Sequence, residues 1–186
     1  MADKIRLGLI GASVKGTWSA RSHLPALQAS SDVELTAVCT TRADSAEAAR
    51  RAYGARLAFD DYRKMIASPE IDAVAIVVRV PSHYAPTKAA LEAGKHVYCE
   101  WPLGRTTAEA VELSALAKAK GLLTAVGLQA RVNPAVMYMK EQVEAGFLGE
   151  GDVAHQMFGP CLLAHHCAAD QLTAWCLADR GHGSPR

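Results

Sequence analysis

Neither sign of charge predominates in this 186-residue sequence: 20 Lys and Arg stand against 19 Asp and Glu, a formal net charge of +1. That balance leaves no electrostatic footprint for nucleic acid or an anionic membrane surface, so small molecules or proteins are the expected partners. Long apolar runs are missing too, none approaching the ~18 residues that a membrane-spanning helix needs. The opening "MADKIRLGLIGAS" lacks a signal-peptide hydrophobic segment and a cleavage site. An even cysteine complement is also absent: five occur, at 39, 99, 161, 167 and 176. A disulfide framework is therefore not expected, and a reducing compartment fits better. Internal repeats and low-complexity linkers do not occur. Together these absences predict a soluble, cytoplasmic chain with no membrane or nucleic-acid partner.

What is present is alternation. Half of the residues are hydrophobic, enough for one domain with a real core. Short β-rich runs, "IRLGLI", "VELTAVCT", "RLAF", "IDAVAIVV", "HVYCE" and "LLTAVG", are separated by stretches of helical character such as "ADSAEAARRAY" and "TAEAVELSALAKAKG". In "TWSARSHLPALQA" the residues Trp18, Leu24 and Leu27 are expected to share one helical face, and "NPAVMYMKEQVEAG" reads as a last amphipathic helix. The run at 71–78 is apolar without alternation, as in a strand covered on both faces. Repeated βα units of this length predict an α/β fold with a doubly wound parallel sheet of the Rossmann type. Residues 1–150 are expected to form this dinucleotide-binding domain. Residues 151–186, which lose all periodicity, are expected to be an irregular tail or the truncated start of a second domain.

In such a sheet, ligands bind beyond the carboxyl ends of the strands. The first strand runs into Gly11-Ala12-Ser13-Val14-Lys15-Gly16. Laid on G-x-G-x-x-G, Gly11 and Gly16 occupy the first and third positions and Ser13 the second, where a small residue lets the backbone approach a pyrophosphate. Gly11, Ser13, Lys15 and Gly16 are therefore assigned to a cofactor site, against the alternative of a purely structural turn. The second strand ends in Cys39-Thr40-Thr41-Arg42 without the carboxylate that usually reads a ribose 2′-OH. Thr40 and Thr41 can hydrogen-bond a 2′-phosphate and Arg42 can pair with it, so NADP is expected, with NAD as the other possibility. The alternative is that Arg42 is a solvated helix-start residue.

Beyond the fourth strand come Pro81, Ser82 as an N-cap candidate, and His83. Pro81 and His83 join the cofactor set. His83 has two readings, a group facing the ligand or a polar residue at an exposed helix start. Cys161, His165, His166, Cys167, Cys176 and His182 cluster in the tail, but their spacing matches no zinc pattern, and no metal is expected.

The segments "RLGLIGAS", "VELTAVCTTR", "IDAVAIVVRVPSH", "ALEAGKHVYCEWPLG", "GLQARVNP" and "VEAGFLGE" resemble the N-terminal domain of the glucose-fructose oxidoreductase, inositol dehydrogenase and MocA family. The resemblance covers roughly residues 4–150, and "EWPLG" and "GLQAR" are most similar to the group around the fungal galactose/lactose metabolism regulatory protein. It implies a nicotinamide site to which Glu100, Trp101 and Gln129 belong, with the glutamate near the ribose and a cis bond before Pro102. The family usually has Glu-Lys-Pro where this chain has Glu100-Trp101-Pro102, the lysine standing beside the reacting carbon and oxygen. An indole N–H only donates and has no accessible acidity, so that role does not carry over, and no catalytic residue is assigned. Trp101 is left to cover the nicotinamide, to contact a partner, or simply to pack between strand and helix. The family's C-terminal sheet domain is expected to be absent or truncated, with oligomerisation possible if a second domain exists. Two functions follow from the resemblance: an NAD(P)-dependent oxidoreductase acting on a sugar, polyol or related alcohol or carbonyl, or a non-enzymatic dinucleotide-binding regulator of a partner protein, for which a nuclear location is also possible.

Overall fold

A computed structural model of the chain describes residues 4–15 and 18–147. Gly16 and the tail at 151–186, with its cysteines and histidines, lie outside the described residues. Six parallel strands form the sheet: β1 (Ile5–Ile10), β2 (Val33–Cys39), β3 (Leu57–Phe59), β4 (Ala73–Ile76), β5 (His96–Glu100) and β6 (Thr124–Gly127). Their spatial order is β3-β2-β1-β4-β5-β6, the expected doubly wound arrangement. The chain winds outward from β1 to β3 and then returns to lay β4 on the other side of β1. That reversal opens a crevice between the carboxyl ends of β1 and β4, where side-by-side loops must diverge to opposite faces.

Alternation along each strand divides the core in two. On one face Ile10, Cys39, Val74 and Ile76 pack with Met65, Ile66, Leu91 and Leu113, which come from α3 (Tyr62–Ile66), α4 (Tyr84–Glu92) and α5 (Thr107–Ala119). On the other, Leu9, Val38 and Ala75 meet Leu24 and Ala49, from α1 (Leu24–Ala29) and α2 (Ala43–Tyr53). β4 is buried at all four positions, which accounts for its unbroken apolar sequence. Each fully buried Leu or Ile here contributes about 1.5–3 kcal/mol relative to exposure.

The structure departs from the sequence reading in three places. Trp18, Leu24 and Leu27 do not share one face. Leu24 is buried and Leu27 packs against the core, but Trp18 is 49% exposed. Even at the α-helical rotation of about 100° per residue, Trp18 stands about 120° from Leu24 and about 180° from Leu27, and the intervening residues Ser19–His23 form a π-helical turn. Pro25, which lacks an N–H, stands in the first turn of the α-helix that follows. Second, Ser82 is not an N-cap. Pro81 fixes a 3-10 turn over Val80–Ser82, and α4 starts one residue later, with His83 at the cap position and no side-chain cap. Third, the last helix, α6 (Pro134–Glu144), has no buried residue. No helix among the described residues is long and apolar enough to cross a membrane.

Candidate functional site

The floor of the crevice is built at Gly11. Its φ of +94° already favours glycine, and a Cβ there would lie 2.1 Å from the Val77 carbonyl oxygen. Only a residue without a side chain allows the β1 turn to cross so close to the end of β4. The turn is pinned by the Gly11 N–H donating to the Cys39 carbonyl at 2.9 Å and by the buried Ser19 hydroxyl donating to the Gly11 carbonyl at 2.8 Å. Ser13 takes part in the same turn: its Oγ accepts from the Lys15 N–H at 3.3 Å, and its carbonyl accepts from the Tyr53 hydroxyl at 3.1 Å. Lys15 is exposed.

One strand over, Thr40 Oγ1 donates to the Arg42 carbonyl at 2.9 Å and shares a 2.6 Å hydrogen bond with Ser45 Oγ. Thr41 and Arg42 are exposed. The Arg42 guanidinium makes a two-pronged contact with Asp44, at 3.0 and 2.6 Å, and this lowers the Asp44 carboxyl below its usual range. Exposed pairs of this kind are screened by solvent and contribute little, so Arg42 can exchange Asp44 for another anion.

On the β4 side, Pro81 is exposed, whereas His83 is 1% exposed. Its Nδ1 lies 2.7 Å from the Pro102 carbonyl and its Nε2 lies 2.8 Å from the Val78 carbonyl. The expectation of an exposed helix-start residue is therefore corrected: the ring is a buried tie between the loop after β4 and the segment after β5. That segment begins with a cis peptide between Trp101 and Pro102, as the resemblance implies.

The centre of the site is Glu100, the last residue of β5 and only 6% exposed. One carboxylate oxygen, Oε1, accepts from His23 Nε2 at 2.5 Å, the Tyr98 hydroxyl at 2.9 Å and Trp18 Nε1 at 3.3 Å. Burial pushes the carboxyl pKa up, but the His23, Tyr98 and Trp18 hydrogen bonds outweigh it, and the net shift is downward. Glu100 is thus a buried carboxylate held ionised by its donors. Tyr98 is shifted the other way: burial first, then the Glu100 charge, raise its phenol above the ordinary range.

Tyr98, His23 and Trp18 did not emerge from the sequence as site residues. Tyr98 was in principle legible, because residues two apart on a strand share a face. The π-helical turn concealed the other two, since no α-periodic pattern places His23 and Trp18 together. Gly127, paired in register with Glu100, completes the group: a Cβ there would come within 2.2 Å of the Tyr98 hydroxyl.

A cavity of about 590 Å³ opens over this cluster, lined by Gly11, Trp18, Val77, Arg79, Glu100 and Trp101. Its size suits a small ligand or cofactor ring. Of the expected site residues it unites Gly11, Glu100 and Trp101. Thr40, Thr41 and Arg42 lie at the end of the strand next to β1. Gln129 opens a 3-10 turn after β6, and its side chain, like Gly16, is outside what is described.

The sequence matches the family profile described as "oxidoreductase family, NAD-binding Rossmann fold" over residues 5–128. It is 34% identical to the D-glucoside 3-dehydrogenase of Escherichia coli over 149 residues, 80% of this chain and 42% of that protein. It is 28% identical to the galactose/lactose metabolism regulatory protein of Saccharomyces cerevisiae over 158 residues, 80% of this chain and 36% of that one. Among solved structures, it is similar to a 3-ketoreductase from Actinomadura kijaniata in complex with NADP, with a TM-score of 0.72 and 30% identity, covering 80% of this chain and 46% of the other. The chain spans about two-fifths of the length of the curated relatives it matches.

Proposed function

This chain belongs to the oxidoreductase family with an NAD-binding Rossmann fold, and on that premise we propose that it binds NADP in preference to NAD and serves oxidation or reduction of a sugar, polyol or related alcohol or carbonyl. The observation that carries this reading is the meeting of the Gly11 turn and the ionised Glu100 in one cavity at the β1/β4 switch point. The residues present fit a dinucleotide. Gly11 provides a backbone surface without a side chain, Thr40, Thr41 and Arg42 offer donors at the end of β2, and Glu100 offers an acceptor for a ribose hydroxyl. Bound nicotinamide supplies the hydride chemistry. The protein's part is to orient it, to exclude water with the Trp18 and Trp101 indoles, and to present a fixed carboxylate charge. The NADP-bound 3-ketoreductase and the sugar-directed dehydrogenase among its relatives support both cofactor and substrate class.

Trp101 favours a second reading. With an indole in the place of the family's lysine, the cavity has a donor but no acid at that position. A dinucleotide-binding regulator of a partner protein needs no acid there, and a galactose/lactose metabolism regulatory protein is among the relatives. Titration of the purified chain with NADPH and NADH, followed by a turnover screen on sugars and polyols, tests both. Tight NADPH binding with turnover supports the oxidoreductase. Binding without turnover favours the regulator, and no binding of either dinucleotide removes both.

A further inference from the structure

The cavity has a second charged wall that the family reading leaves unused. Arg79 lies just past β4, at the extended position preceding the 3-10 turn, and lines the cavity together with Gly11 and Glu100. Arg6, Arg42, Arg50, Arg51 and Arg56 each reach a carboxylate oxygen within 2.8 Å. Arg79 is exposed and, like Arg21, Arg105 and Arg131 among the described residues, has neither a carboxylate partner nor a side-chain hydrogen bond; of these four it alone lines the cavity. Glu100 is engaged elsewhere, its Oε1 by His23, Tyr98 and Trp18. The remaining lining is largely apolar, with Val77, Val78 and the two indoles. Apolar walls strengthen the attraction between a cation and an incoming anion by lowering the local dielectric. A guanidinium fork matches the two oxygens of a carboxylate or phosphate, which a point charge does not.

We propose that Arg79 is an oxyanion-recognition site in this cavity, taking a phosphate or carboxylate group of the bound ligand opposite Glu100. The group can come from the dinucleotide's pyrophosphate or from an acid function on the substrate. Only the dinucleotide source rests on the function proposed above. The cavity would then discriminate by charge at one wall and by hydroxyl acceptance at the other.

Calorimetric titration of the wild-type chain, Arg79→Gln and Arg79→Lys distinguishes the sources. The ligands are NADPH, inorganic pyrophosphate, and D-glucuronate against D-glucose, the sugars being added with and without NADPH. Arg79→Gln should weaken at least one anionic ligand about tenfold, the scale of a lost charge-assisted contact, with glucose unaffected and Arg79→Lys intermediate. Loss of NADPH and pyrophosphate affinity assigns the site to the dinucleotide. Loss confined to glucuronate assigns it to an acidic substrate. If the wild type binds pyrophosphate or glucuronate in an Arg79-dependent manner but does not bind NADPH, the dinucleotide reading fails while the anion site stands. Wild-type NADPH binding, with no anion weakened by Arg79→Gln, leaves the dinucleotide reading intact and overturns the assignment to Arg79. Absence of any anion binding by the wild type overturns it as well.

Discussion

Tyr98 reaches Glu100 only because Gly127 leaves room for its ring. In Gly127→Ala the new methyl carbon would stand 2.2 Å from the Tyr98 hydroxyl and 3.2 Å from the Glu100 carboxyl carbon, so the phenol must swing off the carboxylate. The variant should lose about 1–3 kcal/mol, through overpacking and a buried acceptor deprived of a donor. It should also move both titrations toward their ordinary values, the Tyr98 phenol downward and the Glu100 carboxyl upward. Ultraviolet titration of the tyrosines and carbon NMR of the carboxyls read these shifts, and unchanged titrations would show that the hydroxyl is not among the donors that hold Glu100 ionised. Arg42 makes a prediction of the same scale. It is exposed and paired only with Asp44, so Arg42→Ala should weaken NADPH roughly three- to tenfold and leave NADH nearly unchanged. Equal loss for both dinucleotides would remove it from 2′-phosphate recognition.

Between elements, the amino edge of the sheet is tied where the start of β1 meets the turn before β4. Asp72 accepts from the Arg6 backbone N–H at 3.0 Å and from its guanidinium at 2.9 and 2.5 Å. The Arg6 hydrogen bonds hold the Asp72 carboxyl down at about 2 against the opposing effect of burial. A carboxyl pKa depressed by folding stabilises the fold above its unfolded value, about 3.9, and the contribution disappears as pH falls through the folded value. Both side chains are more than a third exposed, so solvent screening keeps the contribution to about 1 kcal/mol. Urea denaturation should show Asp72→Asn less stable than the parent by about that amount at pH 6. The gap should close between about pH 4 and pH 2; a gap independent of pH would mean that the ion pair is not its source.

At this scale the sequence was most informative where one physical rule governs a stretch. Strands covered on both faces read as unbroken apolar runs, and α2 and α5 declared themselves through propensity. It failed at the segment between Trp18 and Leu24, which forms a π-helical turn. There the reading put Trp18 on one face with Leu24 and Leu27, which the 3.6-residue period itself does not do, and overlooked His23. The His83 tie was equally hidden, because its partners are backbone carbonyls contributed by two separate loops rather than by any neighbouring sequence pattern.

Over the whole molecule, burial is uneven. β1, β2, β4 and β5 carry the core, and the glycine turn, arginine and carboxylate of the cavity stand at the carboxyl ends of β1, β4 and β5, so the site is anchored on buried strands. α6 is the opposite case. Asn133 caps it, accepting from the Ala135 N–H at 2.9 Å, but none of its residues is buried, and Met137, Tyr138 and Val143 are exposed. An eleven-residue helix that buries none of its residues is marginal in water, because nucleation is costly and propensity returns little. Hydrogen exchange of the 186-residue chain should therefore divide by element. Amides of β1 and β4 are expected to exchange only through global unfolding, and those of 134–144 through local opening, orders of magnitude faster. Mass spectrometry of peptic fragments measures the contrast directly. Protection of 134–144 equal to that of β4 would mean that the apolar side of α6 is covered in solution, by another part of the chain or by a second molecule. Dilution would then separate the two, since only the intermolecular cover is lost as concentration falls.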